Sequence, residues 1–333
     1  MYRIVIPILA LAFACSASAQ TRIKFTLDWI FEGQTSFVWL AQQKGYFQQE
    51  GLEVQVDAGT GSAAAIQRIH TGAYDIGLGD MNAMIEYLGN FPGQQRMQMV
   101  YLLYEENPIA YYALKKSGAR TIADLAGKTI VGRPFEVSVK LFPIFAKAAG
   151  IDPKSVTFLN LDAQMRATAV IKGDAFAAGG FFTTPTEFEA RGVKREDIVE
   201  MKVSDVGVRI YGNGVLVSSK MIAENPKAVA GFVRAFNRAL REYLADPVPS
   251  AKALKVRDPL TTESVELERI RAVMPAIVTP RTRANGLGDV DKAVVANLVN
   301  EVTATLNLKS KPNPDDLFNP NFLPPKSERM LLK

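Results

Sequence analysis

The stretch "LEVQVDAGTGSAAAIQRIHTGAYDIGLGD", residues 52–80, sets the reading of the whole chain. Leu52, Val54 and Val56 alternate with Glu53, Gln55 and Asp57, the period of a half-buried strand. The loop Ala58–Ser62 follows, then a helix over Ala63–Thr71 ended by Gly72, then a strand over Asp75–Gly79. Gly59, Gly61 and Ala64 stand at G-x-G-x-x-A spacing, and Asp80 lies about where a ribose-binding acid would fall. One reading is a dinucleotide site in an NAD-dependent enzyme. In the other, the glycines let backbone N–H groups approach a different ligand at the positive end of a helix. A dinucleotide fold carries this fingerprint after its first strand, whereas here it follows the second, which favours the other reading.

The alternation extends in both directions. Upstream, Ile23, Phe25 and Leu27 alternate with polar residues as a first strand, which runs into Asp28-Trp29, the loop Ile30–Gln34 and a helix over Thr35–Lys44. Downstream come a strand over Gln98–Leu103 and another over Ile109–Lys115. A second block then begins: strand Lys128–Gly132, loop Arg133–Glu136, helix Val137–Ala149, strand Val156–Leu161, helix Arg166–Lys172 and strand Ala175–Gly179. The pieces "AAIQRIHTGAYDIG" (64–77) and "AVIKGDAFAAG" (169–179) follow one plan, which fits two lobes of similar build. Such alternation predicts mainly parallel sheets covered by helices, with ligands at the carboxyl ends of the strands. Val206–Ser218 reads as a long strand-like return to the first lobe, interrupted at Gly212-Asn213-Gly214. Asn225-Pro226 starts a helix whose apolar stripe is Val229, Phe232, Val233, Phe236 and Leu240. Asp289 is expected to start another, and the Pro-rich 311–325 to wrap irregularly over the surface.

Composition narrows the chemistry. The 333 residues suggest two domains, 48% hydrophobic and 22% charged residues read as globular, and the net charge of +5 is spread too thinly for nucleic acid. Arg3, the apolar run Ile4–Ala14 and Ala17-Ser18-Ala19 predict a signal peptide over residues 1–19 and export of the mature chain. Cys15 leaves with it, so neither a disulfide nor a thiol nucleophile is expected. The one histidine, His70, sits on a predicted helix away from any cluster, which disfavours a zinc site or a Ser-His-Asp triad. Oxygen-only metal sites and lysine chemistry stay open.

Four longer stretches carry a resemblance. "LDWIFEGQTSFVWLAQQKGYFQQEGLEVQV" (27–56), with its K-G-Y-F-x-x-E-G-L spacing, resembles the opening of solute-binding proteins of ABC-type importers, in the nitrate/sulfonate/taurine and thiamin-pyrimidine group. "GTGSAAAIQRIHTGAYDIGLGD" (59–80), "ADLAGKTIVGRP" (123–134) and "NPKAVAGFVRAFNRAL" (225–240) continue the match in order. The resemblance implies an α/β, bilobal type II periplasmic-binding-protein fold: two mainly parallel sheet lobes joined by two crossing strands, closing on ligand by a hinge. Residues 20–112 and 214–333 would form one lobe and 113–213 the other. It further implies a monomeric, non-catalytic periplasmic receptor that hands a small sulfonate, carboxylate or pyrimidine-like solute to a membrane permease, without cofactor or metal. The thiamin-pyrimidine synthases resemble the same group but carry a Cys-rich motif and catalytic histidines, which this chain does not match. The loop "IFEGQTS" (30–36) also departs from the Pro-Asn and His of pyrimidine-binding relatives.

The expected ligand contacts follow from both arguments. In the first lobe they are Trp29, Glu32, Gln34, Thr60, Gly61, Ser62, Asp80, Met81 and Asn82. In the second they are Arg133, Phe135, Glu136 and Phe181, with Tyr211 and Asn213 at the crossing. Trp29, Phe135 and Phe181 would form aromatic walls. Arg133 would pair with an anionic ligand or with Glu136. Ser62 would contact ligand or cap its helix, and Asp80 and Asn82 would bond ligand or cap the next helix.

Overall fold

The computed structural model describes residues 20–93 and 97–332, so the expected signal peptide at 1–19 lies outside the described residues. The chain opens with β1 (Thr21–Thr26), α1 (Phe37–Gln43), α2 (Tyr46–Gln49), β2 (Leu52–Asp57), α3 (Ser62–His70), β3 (Ile76–Asp80), α4 (Met81–Asn90) and β4 (Met97–Leu102). It crosses over through β5 (Ile109–Leu114) to β6 (Thr129–Val131), α5 (Val137–Lys140), α6 (Phe142–Ala148), β7 (Thr157–Leu159), α7 (Arg166–Lys172), β8 (Ala177–Phe181), α8 (Pro185–Glu189) and β9 (Ile198–Lys202). It returns through β10 (Asn213–Ser218) and ends in helices: α9 (Ser219–Glu224), α10 (Pro226–Ala245), α11 (Val248–Arg257), α12 (Glu263–Ile277), α13 (Pro280–Asn285), α14 (Lys292–Leu306) and α15 (Lys326–Arg329).

The strands form two five-stranded sheets, ordered β2-β1-β3-β10-β4 and β7-β6-β8-β5-β9. Each lobe is built on one of them. In the first sheet β10 alone runs against its neighbours, and in the second β5 does. These two strands are the crossings: β5 follows β4 in the chain but pairs with β8 and β9, and β10 follows β9 but pairs with β3 and β4. The long connections of parallel strands thus lie within each lobe, and the crossings supply the antiparallel pairings.

The expected elements hold where the hydrophobic pattern is strong. β1 and β2 pair from Thr21↔Leu52 to Thr26↔Asp57, which buries Ile23, Phe25, Leu52, Val54 and Val56. The α10 stripe is fully buried, and the Phe232 ring lies 5.0 Å from that of Phe25 and 5.3 Å from that of Phe47. Burying such rings contributes roughly 1.5–3 kcal/mol apiece.

Differences have local causes. The expected helix 137–149 breaks at Leu141, because Pro143 lacks the amide hydrogen an unbroken helix needs and instead opens α6. The expected strand 206–218 begins only at Asn213. Gly207 takes a left-handed conformation (φ 77°), and Gly212 packs its α-carbon against Tyr104, where an added Cβ would lie 2.9 Å from the tyrosine Cβ. Asp291, not Asp289, caps α14, its carboxylate accepting the Ala293 amide at 2.9 Å. The 311–325 segment is irregular as expected, held along β4 by the Met99 and Asn319 amides. β9 and the helices α11 to α13 had no sequence reading. Among the described residues no helix is long and apolar enough to cross a membrane.

Candidate functional site

The carboxyl ends of β1, β3, β6 and β8 open onto one cleft between the sheets, with a cavity of about 120 Å³. Loop 27–36 forms one side. Gly59 donates its amide to the Trp29 carbonyl (2.9 Å) and Gly61 donates to the Asp28 carbonyl (2.6 Å). A Cβ on Gly59 would lie 2.1 Å from the Leu27 carbonyl oxygen. The two glycine amides therefore bond the β1 loop rather than a ligand. This corrects the expectation that they face the solute, and it gives the G-x-G-x-x-A spacing a packing reason. Gly61, not Ser62, stands at the N-cap of α3, while Gly61, Ser62 and Ala63 line the cleft.

Under Trp29 lies a floor of buried amides and carboxyls. The Asn213 amide donates to Asp28, whose carboxyl is pushed up to about 6 by burial, against the opposing effect of that hydrogen bond. Asn82 donates to Asp80 (3.1 Å) and to the Tyr211 carbonyl (2.8 Å), and Gln34 donates to Glu32 (2.8 Å). Each side-chain nitrogen is thus committed to an acceptor, so each side-chain oxygen must point the other way. The oxygens of Gln34, Asn82 and Asn213 are buried without a partner among the described residues, and all three residues line the cleft. A buried acceptor left unsatisfied costs about 1–3 kcal/mol, so each of the three calls for a donor from ordered water or from a ligand.

The opposite wall comes from the second lobe. Glu136 accepts from Arg133 (2.8 Å) and Arg166 (2.9 Å) through the same oxygen. The Arg133 guanidinium lies 4.7 Å from the Phe135 ring and 5.5 Å from the Trp29 ring, so it stacks across the cleft. Phe181 lines the cleft beside Gly180, Thr183 and Thr184. Glu187 follows on α8; burial pushes its carboxyl up to about 7, opposed by Arg166, and its Oε2 has no partner among the described residues. Lys140 joins the lobes, bonding both carboxylate oxygens of Glu86 at 2.6 and 2.7 Å.

The structure brings together Trp29, Glu32, Gln34, Gly61, Ser62, Asn82, Arg133, Phe135, Glu136, Phe181 and Asn213. Four expected contacts do not line the cleft. Thr60 is exposed on its loop. Asp80 is buried and caps α4 by accepting the Asn82 (2.8 Å) and Ala83 (3.1 Å) amides, while Asn107 bonds its other oxygen at 2.8 Å. Met81 is core, since it is the first α4 residue behind that cap. The Tyr211 hydroxyl turns away to accept the Asp291 amide at 2.8 Å. Asp28, Tyr104, Ser138, Lys140, Arg166, Thr184 and Glu187 line the cleft without having been singled out. Asp28 and Thr184 follow strand ends, the signal that could have found them; Lys140, Arg166 and Glu187 lie on helices with no local mark. His70 lies outside the cleft, its ring 5.2 Å from that of Tyr87.

Two lobes of this topology with a polar cleft between them define the class of periplasmic-binding-protein folds. Residues 33–250 match the model of the NMT1/THI5-like family, and the chain belongs to that family. It is 25% identical over 228 residues to the riboflavin-binding protein RibY of Chloroflexus aurantiacus, covering 68% of this chain and 63% of that one. It is 24% identical over 224 residues to the 4-amino-5-hydroxymethyl-2-methylpyrimidine phosphate synthase of Legionella pneumophila, covering 67% and 69%. In fold it is similar to the periplasmic aliphatic sulphonate binding protein SsuA of Escherichia coli, with a TM-score of 0.70, 14% identity, and 92% and 94% of the two chains covered.

Proposed function

We propose that this protein is a non-catalytic solute receptor of an ABC-type importer, closing its lobes over a small planar molecule rich in N–H donors. The observation that carries the reading is that Gln34, Asn82 and Asn213, which line the cleft together with Trp29, each hold a buried side-chain oxygen without a partner among the described residues. Three fixed acceptors call for donors on one edge of the ligand, and the aromatic residues call for a flat face. A sulfonate or carboxylate fits less well. Arg133 Nη2 and Arg166 Nε have no partner among the described residues, but an anion reaching them would also meet the carboxyls of Glu136, Asp28 and Glu187. The lobe boundaries expected at 112/113 and 213/214 fall beside the crossings, and the pairings favour moving Ile109–Leu114 to the second lobe and Asn213 to the first. Export to the periplasm and delivery to a permease are part of the same proposal.

Native mass spectrometry of gently purified protein tests it, together with calorimetry using 4-amino-2-methylpyrimidine and a short alkanesulfonate. A bound heterocycle and binding of the pyrimidine are expected. Binding of the sulfonate alone would overturn the reading. The synthase relatives favour a second reading, an enzyme acting on the same cleft; release of a pyrimidine product by the purified protein, without a permease, would establish it.

A further inference from the structure

A buried charge network on α12 has no part in the site as described so far, and α12 lies beyond the residues 33–250 that define the family match. Arg269 donates to Glu266 (2.8 Å) and lies 3.2 Å from Glu32 through the same Nη1. The other Glu266 oxygen accepts the Gly33 amide at 2.6 Å, and a Cβ on Gly33 would lie 2.3 Å from the Glu266 carbonyl oxygen. Loop 32–35 is therefore pressed against α12 and pinned at both ends of the Glu266 carboxylate. Glu32 accepts from the Gln34 amide nitrogen at 2.8 Å, which fixes the orientation of the Gln34 side chain where it lines the cleft. Arg269 also reaches the second lobe: its Nε donates to the Thr186 hydroxyl on α8 at 3.4 Å, one residue from Glu187. The guanidinium is mostly buried, with 19% of its side chain exposed, so these are not solvent-screened surface pairs.

We propose that Arg269 is a positioning residue for ligand capture: closing the lobes seats it on Thr186, and through Glu32 it holds the Gln34 oxygen at the ligand. The planar fork of arginine suits this, because one group must bond two carboxylates and a hydroxyl at once. The proposal rests on the receptor reading above, since it assumes that Gln34 meets the solute. Its closure arm is independent of the solute's identity.

Two experiments test it. Calorimetry with 4-amino-2-methylpyrimidine is run on wild type, Arg269→Gln, Gln34→Ala and the double variant. Arg269→Gln and Gln34→Ala are each expected to weaken binding about tenfold, and the double variant by clearly less than their roughly hundredfold product, because part of the Arg269 effect runs through Gln34. Losses that multiply in the double variant, or an unchanged Arg269→Gln, would overturn the proposal. Arg269→Gln leaves Glu32 and Glu266 facing one another; if it does not fold, Arg269→Gln with Glu266→Gln replaces it. The second experiment needs no solute. Spin labels on Gln55→Cys and Lys154→Cys, one on each lobe, report the interlobe distance in the mature chain. Thr186→Val and Arg269→Gln are expected to deplete the short-distance population at least twofold. An unchanged distribution would overturn the closure arm. If wild type binds no pyrimidine while the distances shift as expected, the heterocycle reading fails and the lobe-bridging role of Arg269 stands.

Discussion

The two faces of the cleft solve the same problem by opposite means. The floor, from the first lobe, is made of neutral amides whose nitrogens are tied to Glu32, Asp80, the Tyr211 carbonyl and Asp28, and whose oxygens have no partner among the described residues. The wall, from the second lobe, is made of charged groups, with Arg133 and Arg166 sharing Glu136 through one nitrogen each. A fixed neutral acceptor needs no reorganisation to take a donor, whereas an arginine held to a carboxylate takes an anion only against that carboxylate's charge. On the function proposed, the comparison assigns selection of the ligand to the floor and its cover to the wall.

That division can be broken at the floor first. Asn213→Ala removes one unpartnered oxygen and the donor that holds Asp28, and a loss of about 2–3 kcal/mol, roughly 30–160-fold in affinity, is expected by calorimetry. A loss under threefold would move recognition to the wall.

Asp28 offers the next largest effect, on stability. Its folded pKa, about 6, lies above the ordinary 3.8, so the folded state holds an extra proton between these values. Stability contributed by that proton is present below about pH 4 and is lost as pH rises through 6. Asp28→Asn is therefore expected to be more stable than wild type at pH 8 by about 1–3 kcal/mol and equal to it near pH 4. Thermal melts at the two pH values check this, and an equal melting temperature at pH 8 would show that the buried carboxylate ionises at no cost.

The wall should yield smaller changes. Arg133→Gln loses stacking on Trp29 and Phe135 but leaves Glu136 with Arg166, so an affinity loss of about threefold to fivefold is expected. A larger loss than at Asn213 would invert the comparison. Smallest is Lys140→Gln, which removes a part-exposed pair across the lobes. A loss of about 1 kcal/mol or less is expected, vanishing at high salt, and a salt-independent loss would mean that Lys140 touches the solute.

Much of this was legible in the chain, and the limits have a physical cause. The alternation of residues 52–57, the Gly72 stop and the α10 stripe are patterns within a short window, and backbone geometry reads them directly. Strand-end logic likewise led to Trp29, Asn82, Arg133 and Phe181, because loops at the carboxyl ends of strands gather at one edge whatever else the protein does. The same logic misassigned Asp80 and Met81, since a strand end followed at once by a helix uses its acid as a cap and buries the next residue. Only the tertiary structure decided which face of each polar residue is open. Asn213 is turned by Asp28, 185 positions away, and Gln34 by Glu32 under a clamp from α12. A hydrogen bond has no sequence period, so the direction of an amide is set by partners that only folding brings together.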